Sequence, residues 1–147
     1  MLRTPSPLFD ANAQGGSKDL GDLPEWDLTD LSPSDDAAEL KRDLDWLEEA
    51  CRSFAADYEG KLADLTGEAF LTAIHRHEKI ENIAGRIMSY AGLRYYQLTT
   101  DAQRAKFLSD QQEKITIYTT PLVFFTLELN RLEEDALNAL YDASAEL

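Results

Sequence analysis

The chain has 147 residues, 44% of them hydrophobic, with 28 acidic against 14 basic side chains and a formal net charge of −14. That length makes one domain or part of one, and the apolar fraction suffices for a packed core. The acidity opposes nucleic acid and anionic membrane as partners, since both are polyanions. No run of about 18 apolar residues exists to make a transmembrane helix.

A single cysteine, Cys51, excludes an internal disulfide and suits a reducing compartment, so the expected location is cytoplasmic. No apolar stretch follows Arg3, and Asp10, Asp19 and Asp22 do not belong in a presequence, so no targeting peptide is expected. Residues 1–22, with Pro5, Pro7, Gly15, Gly16 and Gly21, lack periodicity and read as a disordered leader in which Leu8-Phe9 is the lone apolar pair. Residues 23–147 read as a helical lobe. It opens with Leu23-Pro24-Glu25-Trp26-Asp27-Leu28-Thr29-Asp30-Leu31-Ser32-Pro33, which two prolines keep extended, with Trp26 expected to be buried across the helices.

Ser32 or Ser34 is the expected cap of the first helix. Its seam of Leu40, Leu44, Leu47, Cys51, Phe54 and Tyr58 alternates steps of four and three. Trp46 lies off that seam, facing the leader or a surface outside the chain. Gly60 is placed to end the helix in a left-handed conformation. Thr66 caps a proline-free central helix of about thirty residues, roughly 45 Å long. Its apolar face holds Phe70, Ala73, Ile74, Ile80, Ala84, Ile87, Met88, Ala91 and Tyr95.

Thr100-Asp101-Ala102-Gln103 fits a capping box for the third helix. The seam there, Ala105, Leu108, Gln112, Ile115, Tyr118, Leu122, Phe125, Leu129 and Leu132, keeps phase across Pro121. One helix bent at the proline is therefore expected, not two. From Ile115 to Leu129 apolar residues fall on more than one face, so this segment is expected to be covered by the chain or by another body. Asn130-Arg131-Leu132-Glu133 opens a last helix through Ala136, Leu137, Leu140 and Tyr141. The predicted fold is all-α, an antiparallel bundle of long helices at about 35–58, 67–97, 101–130 and 133–145 with an extended N-terminal segment.

Little in the sequence speaks for catalysis. His75 and His77 stand two apart and so face different ways on a helix, and His77-Glu78-Lys79-Ile80-Glu81 has Glu where a zinc motif needs its second His. Cys51 on the seam reads as a buried thiol. Gly85 and Gly92 read as close-packing positions. Acid pairs such as Glu48-Glu49 and Glu133-Glu134 read as solvated faces. No catalytic and no metal-ligating residue is assigned. One constellation is more pointed: Arg86, Tyr90 and Arg94 recur every four residues beside the apolar stripe and make a polar-aromatic band with Tyr95 and Tyr96. The band is either a set of ion pairs to Asp27 or Asp101, or a wall that contacts a peptide or a neighbouring lobe.

Three segments carry a family resemblance: the opening Leu23–Leu31 run, Gly85-Arg86-Ile87-Met88-Ser89-Tyr90-Ala91-Gly92-Leu93-Arg94, and Phe124-Phe125-Thr126-Leu127-Glu128-Leu129-Asn130. In this order and spacing they resemble the N-terminal region of oligoendopeptidase F, in the thimet-oligopeptidase-like zinc metallopeptidases. The resemblance spans roughly residues 23 to 147. It implies a mostly helical enzyme that cuts short peptides in a deep channel between two lobes, with zinc held by an H-E-x-x-H helix and a downstream Glu, the motif's Glu activating water. None of those residues is in this chain, so the resemblance implies a non-catalytic N-terminal lobe that helps wall the channel, and zinc in the full-length protein only. The implied partners are the C-terminal catalytic region of the same protein and short peptides. Channel or inter-lobe contacts are expected at Arg86, Tyr90, Arg94, Tyr96, Trp46 and Phe124, and the isolated piece is expected to self-associate. The alternatives are a stand-alone helical interaction module and, less supported, a helical enzyme whose site the sequence conceals.

Overall fold

The computed structural model describes residues 26–143. The 1–22 leader with Leu8-Phe9, the Leu23-Pro24-Glu25 opening and the final residues of the last predicted helix lie outside the described residues. The described chain is all-α: α1 (Ala38–Tyr58), α2 (Gly67–Tyr96), α3 (Ala102–Thr119), α4 (Val123–Leu129) and α5 (Glu134–Asp142). Single 3-10 turns at Leu62–Asp64 and Thr120–Leu122 complete it.

Each α1 seam residue from Leu40 to Tyr58 is buried, so the four-and-three spacing translates directly into a core face. Side-chain pairs fix the directions of the helices. Arg76, early in α2, reaches Asp57 at the end of α1, whereas Tyr90, late in α2, reaches Asp35 just before α1. α1 and α2 are therefore antiparallel. Tyr90 meets Phe107 of α3 and His77 meets Phe125 of α4, which makes α2 antiparallel to the α3–α4 rod as well. The three rods enclose one core centred on Leu47, Cys51, Phe54, Ile80 and Ile87. α5 returns to the start of α2.

Local signals explain most boundaries. Thr66 accepts from the Ala69 N–H at 3.3 Å, and Gly60 sits at φ +76°, the left-handed conformation that ends α1. Three starts differ from expectation. Asn130 caps the C-terminus of α4 and α5 begins only at Glu134, so the Asn130–Glu133 box does not open the last helix. Ser32 and Ser34 spend their hydroxyls inside the preceding turn, on the Ser34 carbonyl and on Asp36, so α1 begins after Ala37 with no side-chain cap. The cap of α3 is Asp101, not Thr100: its carboxylate accepts from the N–H groups of Gln103 and Arg104 at 2.8 and 3.2 Å.

Three further expectations are corrected. The rod around Pro121 is two helices. The proline supplies no N–H, and the ladder tightens into one 3-10 turn while Thr119, Thr120, Leu122 and Val123 all keep right-handed helical angles. The inward stripe of α3 is rotated: Arg104, Phe107 and Gln111 turn toward the core, while Ala105 and Gln112 are exposed. Trp26 is 58% exposed, because Asp27 and Thr29 form a side-chain turn that breaks the extended path, and Leu28 and Leu31 do the anchoring instead.

The glycines also fall differently. A Cβ on Gly85 would meet open space, and one on Gly92 would only touch the Tyr96 ring at 3.8 Å. The close approach is at Gly67, where a Cβ would lie 2.3 Å from the Ala143 Cβ. Gly85→Ala is therefore expected to raise stability by about 1 kcal/mol, the usual cost of a mid-helix glycine. Gly67→Ala is expected to lower stability or to detach α5. Urea unfolding of the two variants checks both signs.

Candidate functional site

The polar-aromatic band of α2 is tied down within the chain. Arg76, Arg86 and Arg94 run in order along α2, and their partners Asp57, Asp43 and Asp35 run in reverse order along α1 and the turn before it. This is an antiparallel ladder of ion pairs. Its first rung is the most embedded in aromatic surface: the Arg76 guanidinium donates to Asp57 at 2.8 Å and lies over the rings of Tyr58 and Phe54 at 5.1 and 5.8 Å. In the last rung one Asp35 oxygen accepts from the Tyr90 hydroxyl at 2.8 Å and from Arg94 Nε at 3.2 Å. The arginines' partners are thus Asp35 and Asp43, where Asp27 or Asp101 was expected. Asp101 is used by Arg104, at 3.6 Å.

The ladder ends in a polar knot. Gln97 Nε2 donates to the Trp26 carbonyl at 2.9 Å, and Arg104 donates to the Arg94 carbonyl and to Gln97 Oε1. A cleft of about 450 Å³ opens here, lined by Trp26, Asp27, Asp35, Tyr90, Arg94 and Gln97. Tyr96 lies elsewhere. It is 65% exposed and borders a separate groove of about 530 Å³ between α2 and α3 with Met88, Leu93 and Leu108. Trp46 is half-buried with the Lys79 ammonium 4.9 Å over its ring, and half-buried Phe124 packs on Phe54 at 6.0 Å. The six candidate residues are therefore spread over the molecule, with Tyr90 and Arg94 sharing Asp35 and Arg86 on the neighbouring rung.

Two buried groups hold their protons more tightly than usual. Cys51 is fully buried, and burial first, then the Glu81 carboxylate, pushes its thiol up to about 11, so it stays protonated. Tyr90 is pushed up to about 12, by burial first and then by the acceptor Asp35. His77 stacks on Phe125 at 4.5 Å, while His75 is on the exposed side. No group of three or more His, Cys, Asp or Glu among the described residues could hold a metal ion. None of their helices is long and apolar enough to cross a membrane.

Two acceptors escape any reading by pattern. Asp35 looks like one of several acids near a helix start. Glu128 looks like a surface residue, yet its carboxylate accepts from the Gly60 and Leu62 N–H groups at 2.6 and 3.4 Å. The left-handed Gly60 turns these donors outward into a small anion-binding concavity, which is the one local signal for Glu128. On α3 and α4, Ile117, Val123 and Leu127 are 61%, 59% and 50% exposed, so the segment expected to be covered has an open side. Set against models of known protein families, curated proteins and solved structures, the chain finds no match.

Asp35→Asn, which weakens the last rung and leaves the Tyr90 hydroxyl a poorer acceptor, is expected to cost about 1 kcal/mol, since both partners are part-exposed. Lys41→Ala, in the exposed pair with Asp45, is expected to leave the thermal midpoint unchanged. Thermal melts of both variants test the contrast. A second expectation concerns alkali. Cys51 and Tyr90 both have folded-state pKa values raised, from 9.0 to about 11 and from 10.0 to about 12. The folded chain thus holds these protons longer than the unfolded one, and their contribution is complete below pH 9 and lost as pH rises to 12. Unfolding free energy should fall through that window, and the decline should flatten in a Cys51→Ala, Tyr90→Phe double variant.

Proposed function

We propose that this chain is the non-catalytic N-terminal helical lobe of a zinc-dependent oligopeptidase in the cytoplasm, where it helps wall the channel that admits short peptides. The observation that carries the reading is the open side of α3–α4, where Ile117, Val123 and Leu127 face outward from a chain otherwise rich in charge. Contiguous exposed apolar surface of this kind is what a neighbouring body covers. The three motif segments between Leu23 and Asn130 supply the family. Chemistry in such an enzyme comes from the zinc bound in its catalytic region, which is also the expected partner. This chain's part is steric: a rod-like wall braced by the arginine ladder, limiting substrates by size.

A second reading, a stand-alone helical interaction module, is favoured by the closure of the core around Phe54 and Leu47, both fully buried within the described residues.

Sequencing the native gene past codon 147 is expected to reveal a reading frame that continues to an H-E-x-x-H motif. The product purified from its source is expected to cleave a quenched fluorogenic short peptide, with loss of activity on chelation and recovery with zinc. A native product without the motif overturns the peptidase reading and favours the module.

A further inference from the structure

The segment from Ile115 to Leu127 contains no charged residue, in a chain where 29% of residues are charged. Seven of its side chains are exposed along the α3–α4 rod: Thr116, Ile117, Thr120, Pro121, Val123, Thr126 and Leu127. Thr116 and Thr120 add methyl groups to this surface more than hydrogen-bonding capacity. Thr116 Oγ1 donates to the Gln112 carbonyl at 2.8 Å, and Thr120 Oγ1 donates to the Thr116 carbonyl at 2.6 Å. Their hydroxyl protons are spent inside the helix. Pro121 has no N–H to offer. The Thr116–Pro121 part of the strip asks few hydrogen bonds of whatever covers it, so burying it leaves few polar groups unpaired.

The charges at its C-terminal end select the occupant. Glu133, Glu134 and Asp135, six to eight residues beyond Leu127, are exposed, with Arg131 the one base from Ile115 to Asp142. A second copy of this chain would bring a net charge of −14 against −14, which opposes close approach. A face with basic residues next to the acidic end gains from the same charges.

We propose that the α3–α4 strip is a docking surface for a partner helix with an uncharged apolar face, flanked by basic side chains where it meets Glu133–Asp135. The inference deepens the lobe reading by naming the chemistry of the face that meets it. Its test needs neither zinc nor peptidase activity, so the two readings can fail separately.

The test uses the 147-residue chain. A labelled amphipathic helix of leucine and lysine, and its leucine and glutamate counterpart, are titrated by fluorescence anisotropy against wild type, Ile117→Asp and a Val123→Asp, Leu127→Asp double variant. The positions are exposed, so all variants should keep the wild-type circular dichroism and thermal midpoint. The leucine–lysine helix is expected to bind wild type, and the double variant is expected to bind it at least ~10-fold more weakly, as loss of central apolar contacts implies. The leucine–glutamate helix is expected not to bind. Attraction by net charge alone predicts the opposite for the Asp variants, which are more acidic; equal or tighter binding by them overturns the proposal. So does a failure of wild type to bind the leucine–lysine helix. Sedimentation of the chain alone supplies a further check: a dimer that the Asp substitutions dissolve assigns the strip to a second copy and overturns the partner class named here.

Discussion

Everything in this molecule hangs on the burial of one ring. Phe54 is fully buried, and it touches Tyr58 on its own helix, His77 on α2, and Phe124 and Phe125 on α4 at centroid distances of 4.8 to 6.0 Å. It is the point where three rods meet. A 21-residue α1 alone would be marginal in water, and so would the seven-residue α4. Each becomes stable only because its apolar face is removed from water at this junction. Glu128 then ties α4 to the turn that ends α1, so the aromatic cluster and the chain reversal support each other.

The second constraint is charge. With twice as many acids as bases, the chain cannot spread its cations evenly and still hold its helices together. Three of the arginines reach from α2 across to aspartates of α1 and the turn before it, and they fix the antiparallel register rung by rung. Each part-exposed pair is worth little alone. Their reverse order makes any other alignment of α1 on α2 leave several charges without partners, so the ladder acts mainly on specificity. A consequence is that Arg86, Tyr90 and Arg94 are engaged with aspartates of the same chain.

That outward chemistry is divided by position along the chain. Acids cover α1 and the C-terminal turn, whereas the middle of α3–α4 presents threonine methyls, a proline ring and aliphatic side chains. The Thr116 and Thr120 hydroxyls are bonded back to carbonyls, and the 3-10 turn at Pro121 sets where α4 begins relative to α3. The same rod packs inward through Leu122 and Phe125 and exposes Val123 and Leu127.

By itself the sequence determined what depends on local spacing. The α1 seam, the all-helical class, the Thr66 cap and the left-handed Gly60 follow from periodicity and backbone chemistry within a few residues. What lies between helices was decided only by the tertiary structure. The α3 stripe rotates because the Tyr90 ring and the cleft beside Leu40 and Leu44 draw Phe107 and Gln111 inward, and no feature of α3 alone encodes that. Gly67 rather than Gly85 needs to be small because α5 returns to it. Asp35 and Asp43, rather than Asp27 and Asp101, meet the arginines because the antiparallel packing of α1 on α2 sets which carboxylates come within reach. Local rules act over one or two helical turns, whereas ion pairs and close contacts depend on where distant segments are brought together, and that is a property of the whole packed core.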